Sequence, residues 1–273
     1  RYEKKLYSEE KENGKICFRH FTRGFYQGKY ICNGIIQGRY GNELGILYRN
    51  NISALIIVAF LSKLGYPFEV AGGNEKLLTH WIISDFLKEL ESAEKLRPLF
   101  VLTRNLNCLY NYISRAGFFE NCAKICEKRG QDGTIVNGLA EFLFTICNIS
   151  RNLSELFRVL WAVKESFNKN FSRETVSKNN FDMDCHITLS TIHSAKGLEY
   201  KSVFLIDLIQ GEFPGKSSES GVLFEEERRL FYVGITRAKK NLYFTFPEKR
   251  GIATENASVF YCEALHIWEN LKG

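Results

Sequence analysis

Residues 225–244 read EEERRLFYVGITRAKKNLYF. The run EEERRLFYV, charged at its start and apolar at its end, looks helical. The run NLYFTFP, from Asn241 to Pro247, is a compact β segment. Between the two stands Arg237, directly after the apolar LFYVGI. A guanidinium beside such a run is costly unless its charge meets an anion. A helix leading into a strand, with an arginine at the junction, sets the frame for the rest of the chain.

Outward from that junction, strands and helices alternate on both flanks. HITLSTIHSAKG (186–197) and SVFLIDL (202–208) read as strands just upstream. Near the start of the chain, KICFRHF (15–21) alternates like a strand and ELGILYRN (43–50) reads as a buried one. NISALIIVAFLSKLG (51–65) reads as a helix, with Asn51 as its cap and Gly65 as its left-handed end. PFEVAGG (67–73) is a short strand that stops at paired glycines. From Asn74 to about Phe167 the pattern is helix after helix. Leu77, Leu78, Trp81, Ile82, Phe86, Leu87 and Leu90 fall at helical spacing, and TIVNGLAEFLFTICNIS and NLSELFRVLWAVKESF repeat the habit. The polar NKNFSRETVSKNN (168–180) reads as a linker. The expected fold is therefore α/β: residues 1–73 and 181–273 form one parallel-sheet domain, interrupted by an inserted all-α domain over residues 74–180.

Composition bounds the function classes. A hydrophobic share of 45% over 273 residues excludes a disordered chain. The net charge of +6 permits a polyanion partner without requiring one. No signal peptide opens the chain and no apolar run reaches the roughly 18 residues of a membrane span. The eight cysteines are scattered, and only Cys122 and Cys126 are close together. No second Cys/His pair follows at zinc spacing, so the expectation is reduced thiols in a cytoplasmic protein and no metal site. Residue 1 is arginine and the only methionine is Met183, which suggests a piece of a longer protein.

DLIQGEFPGKSSESG (207–221) invites a phosphate-loop reading through its Gly-Lys-Ser. A Walker A loop needs four residues between its glycines, and Gly211 and Gly215 enclose only three, one of them Pro214. The expectation is an exposed turn with no phosphate cradle.

LSTIHSAKGLEY (189–200), followed by EEERRLFYVGITRAKK (225–240), resembles the fifth and sixth motifs of superfamily 1 DNA helicases of the UvrD/PcrA/Rep kind. LGILYRNN, LSKLGYPFEVAGG, NYISRAGF and GEFP are similar to further segments of that family. The resemblance implies the second RecA-like domain, called 2A, with its helical insertion, 2B. It has the P-loop NTPase fold without a P-loop of its own. The first RecA-like domain, with its Walker A and B residues, lies outside these residues, so this chain alone is expected to be inactive. By the same resemblance Arg237 in GITRA is the arginine that reaches the ATP γ-phosphate, and Glu199 in KGLEY holds the ribose. Thr191, His193, Ser194, Arg49 and Asn51 face single-stranded DNA. Arg228 or Arg229 is expected in a structural ion pair. The implied cofactor is ATP with Mg2+, held mainly by the first domain. The implied partners are single-stranded DNA, a duplex junction and that first domain. The implied activity is 3′–5′ translocation. Two other readings stay open: a non-catalytic DNA-binding or partner-docking module, and the motor part of a helicase-nuclease.

Overall fold

The computed structural model describes residues 14–71, 77–95, 106–130, 133–167, 186–218 and 220–272. Its centre is a six-stranded sheet built from β1 (Lys15–Phe21), β2 (Glu43–Tyr48), β3 (Glu69–Ala71), β4 (His186–Thr191), β5 (Tyr200–Leu205) and β6 (Ala238–Pro247). The order is β1-β6-β5-β2-β4-β3, and every pairing is parallel. The two flanks of the sequence interleave. Strand β2 lies between two strands of the other flank, with Leu44 opposite Ile187 on one side and Ser202 on the other. The apolar run ELGILY has this cause: a central strand covered on both faces has no solvent side to make polar. Edge strand β1 is far less covered, with Lys15, Ile16, Arg19 and His20 exposed.

Helices cover both faces. On one side α1 (Gly24–Ile36) and α2 (Ala54–Leu64) pack on the sheet. On the other lie α8 (Gly221–Ile235) and α9 (Val259–Lys272), around a core of Leu47, Ile192, Leu205, Phe231, Phe244 and Phe260. Between β3 and β4 come α3 (Trp81–Lys95), α4 (Leu106–Arg115), α5 (Phe118–Lys128), α6 (Gly133–Ile149) and α7 (Leu153–Ser166). Their buried Phe86, Tyr110, Phe119, Phe142 and Ile146 join Ile31, Leu55 and Ile57 of α1 and α2 in one continuous core. The helical stretch is thus an outer layer on the α1–α2 face. A two-strand hairpin, β7 (Lys249–Arg250) and β8 (Ala253–Thr254), follows β6.

One helix had no expectation, and two local expectations change. Helix α1 was not evident in GFYQGKYICNGII, whose glycines weaken helix propensity; burial of Gln27, Ile31, Cys32 and Ile35 on one face supplies the stability instead. Asn51 does not cap α2. It opens a short 3-10 turn, Asn51–Ser53, ahead of that helix, while Gly65 ends it with φ 65° as expected. The loop 207–216 is not an exposed turn: Phe213 is 1% exposed, and Glu212 is buried against Arg250. Within this loop the amide of Lys216 donates to Gly211 O at 3.2 Å. The linker reading for 168–180 and the glycine stop at 72–73 fall outside the described residues.

Candidate nucleotide and nucleic-acid interface

Strand β4 delivers Thr191 to the carboxyl edge of the sheet, where a tight turn follows. Ile192 and Ala195 are buried and anchor it, while His193, Ser194 and Lys196 are exposed. Thr191 Oγ1 donates to Ser194 Oγ at 2.9 Å and accepts from the Ser194 amide at 3.2 Å. The turn is therefore pre-formed, with its polar side chains outward. The chain then runs back across the face, because β5 is parallel to β4. Glu199 stands exposed at the amino end of β5, on the opposite edge. His193, Ser194, Lys196 and Glu199 all fall within seven consecutive residues. The structure places them at two edges, and the parallel register is the reason.

Arg237 sits beside Glu199. It follows α8, and its Nη1 donates to Leu198 O at 2.9 Å while its own carbonyl accepts from the Tyr200 amide at 2.8 Å. Both chain neighbours of Glu199 are thus tied to Arg237. Its Nε donates to Val233 O at 3.0 Å and its Nη2 to Thr236 Oγ1 at 3.1 Å. Every one of these acceptors is neutral. Among the described residues no carboxylate pairs with Arg237. Among the described residues the nearby carboxylates are engaged elsewhere: Glu225 pairs with Arg228 and Glu227 with Arg49. A guanidinium has five N–H donors in a planar fork. Three go to neutral oxygens here, so the fork is oriented and its charge is still unmet.

Arg49 has a carboxylate partner within the chain. It lies just past β2, and Nε and Nη2 both donate to Glu227, at 3.1 and 2.8 Å. Asn51 is half-buried, with Oδ1 buried and lacking a hydrogen-bond partner. Arg228 makes the expected structural pair: it bridges to Glu263 on α9 and stacks over Phe224 and Phe260. Cys122 and Cys126 lie buried on one face of α5, and burial pushes the Cys122 thiol up to about 11, as for a core thiol.

Two buried charge clusters had no sequence signal, because their members are far apart in the chain. Arg250, 1% exposed, is bidentate on Glu212 and reaches Asp207 at 3.3 Å; Gln27 also donates to Asp207, at 2.5 Å. Asp207 adopts a left-handed φ of 52°, which aspartate tolerates better than most residues. Burial pushes Glu212 up to about 7; Arg250 pulls against this, and Asp207 and Glu255 add to it. The second cluster centres on Glu141 of α6, which is fully buried. It accepts from Arg23 Nε at 2.9 Å, the Phe25 amide at 2.8 Å and the Gly251 amide at 2.8 Å. This single carboxylate fastens the outer helical layer to the start of α1 and to the β7–β8 hairpin.

Known proteins are similar to this chain in sequence. The family model for the UvrD-like helicase C-terminal domain matches residues 120–249. The ATP-dependent DNA helicase PcrA of Bacillus subtilis is 26% identical over 319 aligned positions, covering 90% of this chain and 43% of that protein. A probable DNA helicase II homolog of Mycoplasma capricolum is 31% identical over 199 positions, 71% of this chain and 26% of that protein. DNA helicase II of Escherichia coli is 49% identical over 65 positions, 23% of this chain and 9% of that protein. The chain spans less than half the length of these relatives, and it matches their C-terminal part. Among the described residues no helix is long and apolar enough to cross a membrane. By motif and these matches, the chain carries a UvrD-like helicase C-terminal domain match over residues 120–249 and is similar to the C-terminal part of these helicases.

Proposed function

We propose that this chain is the C-terminal motor half of an ATP-dependent 3′–5′ DNA helicase or translocase of the cytoplasm. The observation that carries the reading is Arg237, oriented by three neutral acceptors and paired with no carboxylate. A positioned guanidinium with unmet charge suits a phosphate supplied by another domain. In this reading an N-terminal RecA-like domain holds ATP and Mg2+ against this edge. Arg237 then stabilises charge on the transferring γ-phosphoryl group, a role worth about 10³–10⁵ in turnover in phosphoryl transfer. Glu199, which Arg237 brackets through Leu198 and Tyr200, accepts from the ribose.

At the carboxyl edge, Thr191, His193 and Ser194 on the pre-formed turn, with Asn51 nearby on the next strand's exit, meet single-stranded DNA. Such side chains bind phosphate and stack on bases without reading sequence. The helical layer α3–α7 corresponds to the family's inserted domain and faces the duplex junction. ATP binding closes the two RecA-like domains and hydrolysis reopens them, so that grip alternates along the strand. Alone, this chain lacks the phosphate cradle and neither hydrolyses ATP nor unwinds DNA.

The test is strand displacement by the full-length protein on a duplex with a 3′ single-stranded tail. Unwinding that needs hydrolysable ATP and a 3′ tail supports the reading. Equal displacement without ATP, or a requirement for a 5′ tail, overturns it.

A further inference from the structure

Arg49 and Glu227 join two elements that the motor reading treats separately. Arg49 ends the central strand β2, at the edge where the proposed DNA turn lies. Tyr48, just before it, accepts from the amide of Ile192, the residue before His193, at 3.0 Å. Glu227 lies on α8, ten positions before Arg237. From Glu227 to the end of α8 at Ile235 runs about 12 Å of helix at 1.5 Å per residue. The helix is seated along that length. Phe231 is in the core, and a Cβ on Gly234 would lie 2.9 Å from Leu205 Cδ2 and 3.5 Å from Ile192 Cγ2. At the far end Arg237 grips Leu198. Helix α8 is thus fixed to the DNA-turn edge at one end and to the nucleotide edge at the other.

We propose that the Arg49–Glu227 pair is a positioning device that sets α8, and with it Arg237, from the edge where DNA binds. In this account, which rests on the motor reading above, Arg49 acts through Glu227 and does not clamp a strand phosphate. Two facts favour this over direct DNA contact. Nε and Nη2 of Arg49 are committed to one carboxylate, which removes that face of the fork from bidentate phosphate binding. Glu227 is also buried, its side chain 10% exposed, and a buried carboxylate needs its cation. A shift of the DNA turn moves the end of β2, and close packing passes the shift to α8. Glu227 and Arg49 are positioning residues in this scheme, and neither touches the reacting atoms.

The experiment is a double-mutant cycle in the full-length protein, measuring ATP turnover against single-stranded DNA concentration for Arg49→Gln, Glu227→Gln and the double variant. Each single change is expected to lower kcat about tenfold while the DNA concentration for half-maximal stimulation stays within about twofold, and the double variant is expected to be no worse than either single. Arg49→Lys keeps the charge without the planar fork and is expected to recover only part of kcat; it also serves if the glutamine variants melt below the assay temperature. The proposal is overturned if Arg49→Gln raises the half-maximal DNA concentration about tenfold while Glu227→Gln turns over like wild type, or if the two losses multiply. A wild-type protein with no DNA-stimulated turnover overturns the motor reading itself, and that result appears before any variant is made.

Discussion

Strand β6 runs between two arginines held in opposite ways. Arg250, after it, is 1% exposed and meets two carboxylates, Glu212 and Asp207. Arg237, before it, is half-buried and meets two carbonyls and a hydroxyl. Burying a cation without an anion is prohibitive, so Arg250 had to find its partners inside the chain. Arg237 is wet enough to keep its charge and is still held in one geometry. The difference separates an arginine whose charge is consumed by folding from one whose charge is available to an outside anion. Glu141 and Arg23 fall in the first class and Glu199 in the second.

That contrast can be broken by substitution. Arg237→Ala in the full-length protein should lower DNA-stimulated ATP turnover by about a hundredfold or more, with the melting temperature almost unchanged. Arg250→Ala should do the reverse: it strands Glu212 and Asp207, and urea unfolding should show a loss of about 3–5 kcal/mol. If Arg237→Ala melts like Arg250→Ala, the two arginines are of one kind and the contrast fails. Glu141→Ala should cost about 2–4 kcal/mol, since Arg23 and two amides lose their acceptor, and hydrogen exchange should rise in α6 before the sheet. If exchange rises uniformly, Glu141 is not a local fastening.

The smallest effect concerns pH. Glu212 is raised in the folded chain to about 7, from 4.5. The folded state therefore binds more protons than the unfolded one between those values, and stability falls as pH rises through that window. The loss should be on the order of 2 kcal/mol between pH 4.5 and 7.5, and Glu212→Gln should flatten it. A slope of the same size in Glu212→Gln would assign the effect to other groups.

Much of the fold was legible because periodicity reports burial. The continuous apolar run of β2 announced a buried strand, and residues 15–21 read as a strand that proves to lie at the sheet edge. Gly65 marked the end of α2 correctly. Helix α1 was hidden, since its support comes from tertiary burial and its glycines argue against it. The candidate site residues stand in short motifs that the sequence displays: TIHS on the turn, GLE at the amino end of β5 and TRA after α8. What motifs could not convey was direction. Thr191 and Glu199 are eight positions apart and at opposite edges, because a parallel neighbour forces the chain to return before pairing. Nor could spacing show that Arg49 is held by a carboxylate far along the chain.

The most direct test of the central claim compares the ground state with the transition state. Affinity of the full-length protein for ATP and for a Mg2+–ADP–aluminium fluoride complex would be measured with single-stranded DNA bound, in wild type and Arg237→Ala. If Arg237 meets the transferring phosphoryl group, the substitution leaves ATP affinity within a few-fold and weakens the analogue about a hundredfold or more. If both affinities stay unchanged, or fall together, Arg237 is not the transition-state arginine.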